Sequence, residues 1–273
     1  MIQMISLEEK IIGNLQESEF QYIIDLERKI FGNILCLEDK KLLIDVEDRG
    51  IARRVFYSYT LPLLEGAGLC SPKQQKNAIF WGTIHLCLGL HLRYADYIID
   101  NDKIDKSPLS ISEKSYLYLL LAQMLLSQKG YLWGEEQLAM YRQYFDYENE
   151  INCDQFHDFG SLWRRVSPLL VICESYLKSS WQIIDLNFYY KRYLSCFLLK
   201  GDCIDIIKDI NFQKTSVTSL ISDYGVHIDG NLVLMVSVID SVNVIVNRTL
   251  AKIKNHISEK LPIWKIIIDS FLS

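Results

Sequence analysis

The chain has 273 residues, of which 49% are hydrophobic, enough to bury a substantial core. Its 34 acidic and 29 basic side chains leave a net charge of −5 with no Lys/Arg block, which argues against a nucleic-acid partner. The opening MIQMISLEEKIIGNL lacks the basic start, apolar stretch and small-residue cleavage site of an export signal, so a soluble, cytoplasmic protein is expected.

Apolar residues recur at three- and four-residue spacing between only five prolines and 13 glycines, the pattern of an all-α chain. In chain order the spacing predicts helices over Leu7–Phe31, Glu38–Asp45, Arg49–Ala67, Pro72–Asp100, Ile111–Ser127 and Gly134–Asp146. Those that follow are Gly160–Lys178, Trp181–Asp209, Thr215–Asp223, Gly230–Glu259 and Pro262–Phe271. Two starts are marked chemically. Ser110 with Glu113 has the spacing of a capping box, and Ser71-Pro72 puts proline in a first helical turn. The loops DNDKIDKSP and FDYENEINCDQFHDFG are too short to act as domain linkers, and no repeat period is visible, so residues 1–273 read as a single domain. Several helices exceed the usual length without heptads, which predicts a bundle around a central hydrophobic core or cavity.

The longest apolar runs are broken by Gln, Asn or Asp240, so they read as buried helices and no integral membrane span is expected. Seven scattered cysteines read as reduced core thiols, and neither they nor the five histidines have zinc-site spacing.

Two acidic stripes stand out. GLHLRYADYIIDND places Asp96 and Asp100 four apart, on one face of a helix. KGDCIDIIKD places Asp202, Asp205 and Asp209 at spacings of three and four, again on one stripe. Such pairs are common on solvated helix faces, but here both are flanked by apolar sequence and lie about a hundred residues apart. Like charges at this spacing weaken a helix by a few tenths of a kcal/mol unless a cation binds them. Magnesium, a hard ion that bridges one or two carboxylates to phosphate oxygens, suits the pattern.

LRYADYIIDND resembles the first aspartate-rich motif, D-D-x-x-D, of the class I isoprenoid synthase superfamily, with Tyr97 in place of the second aspartate. KGDCIDIIKD resembles the second motif of its prenyltransferases, with Gly201 in place of the first aspartate. A second register, Asp96 with Asp100 and Asp205 with Asp209, resembles the paired D-x-x-x-D motifs of squalene and phytoene synthases. In length and motif order the chain is similar to the short prenyltransferase branch of moenomycin biosynthesis.

The resemblance implies a bundle of long helices around an apolar pocket. Mg2+ held by Asp96, Asp100, Asp202, Asp205 and Asp209 would bind an allylic isoprenyl diphosphate (geranyl, farnesyl or geranylgeranyl). Asp96, Asp100 and Asp205 are the expected catalytic carboxylates. Arg164, Arg165, Lys208 and Lys214 are the expected diphosphate ligands, with Arg53 and Arg54 as weaker candidates and Arg93 as a helical partner of Asp96. It also places the pocket floor at Cys87, Leu88, His91 and Leu92, draws cation-facing aromatics from Phe80, Trp81, Tyr94, Tyr97, Tyr190, Tyr193 and Phe197, and suggests a homodimer. No arginine follows Asp100 closely, as chain-elongating synthases require. The expected activity is therefore that of a terpene synthase-like lyase. The alternatives are a prenyltransferase using another acceptor, or a non-catalytic helical binding or scaffold protein.

Overall fold

A computed structural model describes residues 7–15, 17–36, 46–99, 110–152, 159–212, 232–257 and 259–272, and among them it is helical with no strand. The expected first helix is two: α1 (Leu7–Asn14) ends before α2 (Glu17–Cys36) begins. The expected helices Glu38–Asp45 and Thr215–Asp223 lie outside the described residues.

α3 (Val46–Val55) continues through a π-helical turn, Phe56–Thr60, into α4 (Leu61–Gly66). Both joints keep right-handed helical backbone, so the three pieces form one rod, and residues 60–66 of it are all buried. A 3-10 turn at Pro72–Gln74 leads into α5 (Gln75–Ile99), the proline sitting at the helical start as its fixed φ favours. α6 (Ile111–Gln128) opens with the anticipated capping box: Ser110 Oγ accepts from Glu113 N–H at 3.2 Å, and Ser110 N–H donates to Glu113 Oε2 at 2.7 Å.

α7 (Glu135–Asn152) is followed by a departure from expectation. Residues Phe159–Leu169 form 3-10 helix with a kink at Val166, and Ile172–Tyr176 form a second π turn. Residues 181–185 are not helical either: Gln182 N–H donates to Gly66 O at 3.0 Å, so the chain pauses against the end of the rod before α8 (Leu186–Phe212). α9 (Leu232–Ile257) and α10 (Pro262–Leu272) complete the order. Among the described residues no helix is long and apolar enough to cross a membrane.

The rod sets the direction of its neighbours. Along α5, Gly82 lies against Leu64, His85 Nδ1 meets Thr60 Oγ1 at 3.0 Å, and Gly89 lies against Val55. As α5 advances, the rod number falls, so the two are antiparallel. α8 behaves the same way, with Leu186 against Gly66, Tyr190 Oη donating to Tyr59 O at 2.8 Å and Tyr193 Oη to Ser58 O at 2.9 Å. α5 and α8 therefore run in the same direction. Gly82 and Gly89 permit the close approach of α5: a methyl at Gly89 would collide with Val55 Cγ1, and one at Gly82 with Ile30 Cδ1.

α10 is fastened at the other end. Glu65 accepts from Ile263 N–H at 2.7 Å and from Trp264 N–H at 2.5 Å, while Trp264 Nε1 donates to Pro62 O at 2.6 Å. The carboxylate thus satisfies two of the orphan N–H groups that every helix start leaves open. The Trp264 ring packs on Tyr190 and Tyr193, with centroids 5.9 and 5.4 Å away.

Candidate functional site

The last turns of α5 carry Arg93, Asp96 and Tyr97. Arg93 Nη1 donates to Asp96 Oδ2 at 2.9 Å, the i,i+3 pairing that helical spacing allows. The same guanidinium lies over the Tyr97 ring, 4.5 Å from its centroid. Tyr97, which stands where the resembled motif has a second carboxylate, is thus a platform for a cation. The Asp96 side chain is 26% exposed, at the bundle's edge.

Tyr59, on the π turn of the rod, lies within range of the charges on this group. Its ring meets Phe197 of α8 edge-on with centroids 5.0 Å apart, so it joins the rod to the helix that carries the second acidic motif. Burial pushes the Tyr59 phenol well above its ordinary range. Arg93, Arg165 and Arg54 pull it back down, and Asp96 adds to the rise. One phenol therefore lies within electrostatic reach of cations from α3, α5 and the 3-10 segment, and of the Asp96 carboxylate. Burial also works against the charge of Arg93, but Tyr97, Asp96 and Tyr59 outweigh it and hold the guanidinium firmly protonated.

The expected ligands separate on this geometry. The charge of Arg165 acts on the Tyr59 phenol, whereas the Arg164 guanidinium lies 5.4 Å from the Tyr147 ring centroid on α7. The same division splits Arg54 from Arg53, which pairs with Glu27 Oε1 at 2.9 Å in a network closed by Tyr57 Oη donating to Glu27 Oε2 at 2.7 Å. Asp202, Asp205, Asp209 and Lys208 lie on the helical backbone of α8, beyond the part that packs on the rod, and their side chains lie outside the described residues. Asp100 and Lys214 lie wholly outside them. Because α5 and α8 run in the same direction, both acidic segments belong to the same end of the bundle.

Other expected positions serve the core. His91 Nδ1 is 2.9 Å from Ser115 Oγ and 3.0 Å from Ser115 O, so this side chain faces α6 and not the rod. Cys87 and Leu88 are fully buried. Tyr94 stacks on Tyr118 of α6, and Phe80 packs with Trp81, which stacks on Tyr176. Of the expected aromatics, Phe197 contacts Tyr59, and Tyr97 holds Arg93.

Tyr59 carried no signal in the sequence. It sits on a π turn with its ring against Phe197 of α8.

Among the described residues no group of three or more His, Cys, Asp or Glu side chains is placed to hold a metal ion. Asp96 supplies a hard carboxylate oxygen of the type magnesium prefers, and the other acidic positions are on the segments just placed. Two clefts, of about 500 and 320 Å³, lie elsewhere. One is beside Glu65, Cys70 and Lys260, the other beside Met124, Tyr131 and Trp133. No protein-family model matches the chain, and neither does any curated protein or solved structure.

Proposed function

We propose that the chain is a terpene synthase-like lyase of the class I isoprenoid synthase type, which binds an allylic isoprenyl diphosphate and converts the carbocation left by its ionisation. The observation that carries the reading is the Arg93–Asp96 pair over Tyr97, with the charges of Arg165 and Arg54 also acting on Tyr59, at the end of the bundle toward which α8 runs with Asp202, Asp205 and Asp209. Cations fixed on three separate elements suit an anion with several charged oxygens, since preorganised charge needs no reorganisation as the leaving group develops its own.

Magnesium, held by Asp96 and Asp100 on one side and Asp202, Asp205 and Asp209 on the other, would supply Lewis-acid stabilisation of the departing diphosphate. The chain's own groups have distinct tasks. Arg165 and Arg54 orient the diphosphate, and Arg93 neutralises charge beside Asp96. The edge-on pair Tyr59 and Phe197 offers π density to a cation on the apolar side and helps exclude water from it. Lys208 and Lys214 add positive charge near the second motif. The reading also requires a hydrophobic chamber for the prenyl tail, for which the Tyr59 and Phe197 rings would form a wall.

One observation favours a second reading. Asp96 already has a cationic partner, and Tyr97 and Gly201 each remove a carboxylate from the resembled motifs, as in a helical binding protein without turnover. Incubation with geranyl, farnesyl and geranylgeranyl diphosphate, with Mg2+ or with EDTA, separates the two. Mg2+-dependent release of diphosphate together with a hydrocarbon or alcohol product supports the lyase. Appearance of a prenylated acceptor indicates the transferase. A folded protein that releases no diphosphate from any of the three overturns the enzymatic reading.

A further inference from the structure

The cleft beside the C-terminal end of the rod lies outside the function proposed above. Its volume of about 500 Å³ falls within the roughly 300–1,000 Å³ typical of small-molecule sites. Four segments wall it: the first turns of α2, the rod end with the turn that follows, Gln182, and the start of α10. Hydrogen bonds between these segments fix the walls. Tyr22 Oη donates to Ser71 O at 3.0 Å, Gln182 N–H donates to Gly66 O at 3.0 Å, and Glu65 accepts from the Ile263 and Trp264 N–H groups. Gly68 turns the chain here at φ 70°, and a methyl on it would collide with Gln182 Nε2. The cavity is therefore preformed.

Its charges are unbalanced. Glu65, 6% exposed, has both oxygens taken by the start of α10 and has no cation beside it. Glu19 lines the same cleft, and among the described residues it makes no hydrogen bond or ion pair; its Oε2 is shut off from solvent without a donor. Lys260 is the one cation among the lining residues, but it is exposed and pairs with neither carboxylate. Carboxylates withdrawn from water are normally paired, because the desolvation of an unpaired charge is costly. The other walls are apolar, with Ile23, Pro262 and Ile263 among them. A bare metal ion needs more oxygen ligands than these groups supply, whereas an ammonium on an aliphatic chain uses both the open carboxylate and the apolar wall.

We propose that this cleft binds a small organic amine, whose ammonium donates to Glu19 and whose aliphatic body lies on Ile23, Pro262 and Ile263. The two glutamates divide the work. Glu65 holds the α10 wall in place and adds negative charge to the cavity, while Glu19, which no internal group needs, is the acceptor left for the ligand. Charge-assisted hydrogen bonding at one end and methylene burial at the other set the chemical class: a primary alkylamine, protonated at neutral pH.

Calorimetry on the full chain, with hexylammonium chloride and 1-hexanol as probes, tests this. The wild type should bind the amine about tenfold more tightly than the alcohol, the scale of a hydrogen bond to a charged group. Butylammonium, two methylenes shorter, should bind about tenfold more weakly than hexylammonium. Glu19→Gln should lower hexylammonium affinity to that of the alcohol, and Glu19→Lys, which brings its own ammonium into the cleft, should abolish binding. Because Glu19 makes no internal contact, both variants should melt at or above the wild-type temperature, whereas a structural role for Glu19 would lower it. Amine affinity no greater than that of the alcohol overturns the proposal, as does amine affinity unchanged in Glu19→Gln or a melting temperature that falls in both variants. Equal affinity for the two amines overturns the assignment of the apolar wall. Turnover of prenyl diphosphates, present or absent, does not bear on these results, so this inference and the lyase reading fail separately.

Discussion

Two carboxylates at opposite ends of the bundle have met opposite fates. Glu65, on α4, is 6% exposed and gives both oxygens to backbone N–H groups of α10, while Asp96, at the far end of α5, is a quarter exposed and shares a charge with a flexible arginine one turn away. The first arrangement is closed: every strong acceptor is filled by groups that cannot leave without unwinding a helix. The second is open, because its partner is a side chain that solvent or ligand can replace. A buried carboxylate is therefore weak evidence of a functional site here, and the partly exposed one, paired with a mobile charge, is the better candidate.

The largest stability effect expected is at the closed end. Glu65→Ala leaves two buried N–H donors without acceptors and should lower unfolding free energy by about 2–4 kcal/mol in urea titrations. A loss within experimental error would mean that the α10 start is held by Trp264 alone. Asp96→Ala should cost much less, since exposed pairs contribute on the order of 0.2–1 kcal/mol.

The two ends should also differ in pH dependence. Burial, against the pull of the Ile263 and Trp264 N–H groups, pushes the Glu65 carboxyl up to about 7 from an ordinary 4.5, with Glu19 adding to the rise. A carboxyl raised on folding binds more protons folded than unfolded between those values. Its stabilising contribution is therefore present below pH 4.5 and is lost as the pH climbs to about 7, a change of roughly 3 kcal/mol. His85 opposes it, because burial lowers that imidazole to about 3 and costs stability as the pH falls below 6.5. The difference between wild type and Glu65→Gln isolates the Glu65 slope. A pH-independent difference between them would remove it.

Gly89 links the ends, because α5 passes Val55 of the rod where a side chain would collide. Gly89→Ala should cost about 1–2 kcal/mol, the overpacking against Val55 Cγ1 exceeding alanine's gain in helix propensity. It should also weaken pyrophosphate binding by shifting Arg93 relative to Tyr59. Stability lost with pyrophosphate affinity intact would separate the two ends. The smallest effect belongs to Arg164→Ala: its ring contact with Tyr147 contributes about 0.5–1 kcal/mol, and pyrophosphate affinity should not change, in contrast to Arg165.

Much of the fold was legible because apolar spacing reports helices whatever they pack on. The extents of α5, α6 and α10 and the Ser110–Glu113 cap follow the sequence closely. The break after Asn14, the two π turns and the 3-10 segment at Phe159–Leu169 do not. In stretches apolar on several faces, a change of helical pitch leaves the pattern intact, and Gln182 chose the carbonyl of Gly66 over its own helix. Only part of the candidate site's local geometry was legible. Spacing singled out Asp96 and put Arg93 beside it. Nothing local separates Arg165 from Arg164 or predicts Tyr59, and the Glu65 contact with α10 spans 198 residues.

The central claim is that both acidic helix ends act together on one diphosphate. The most direct test is Mg2+-dependent diphosphate release from a prenyl diphosphate, measured side by side for the wild type, Asp96→Ala and Asp205→Ala. The account predicts release by the wild type and none by either variant, with helicity nearly unchanged in all three. Release that survives both substitutions would contradict it.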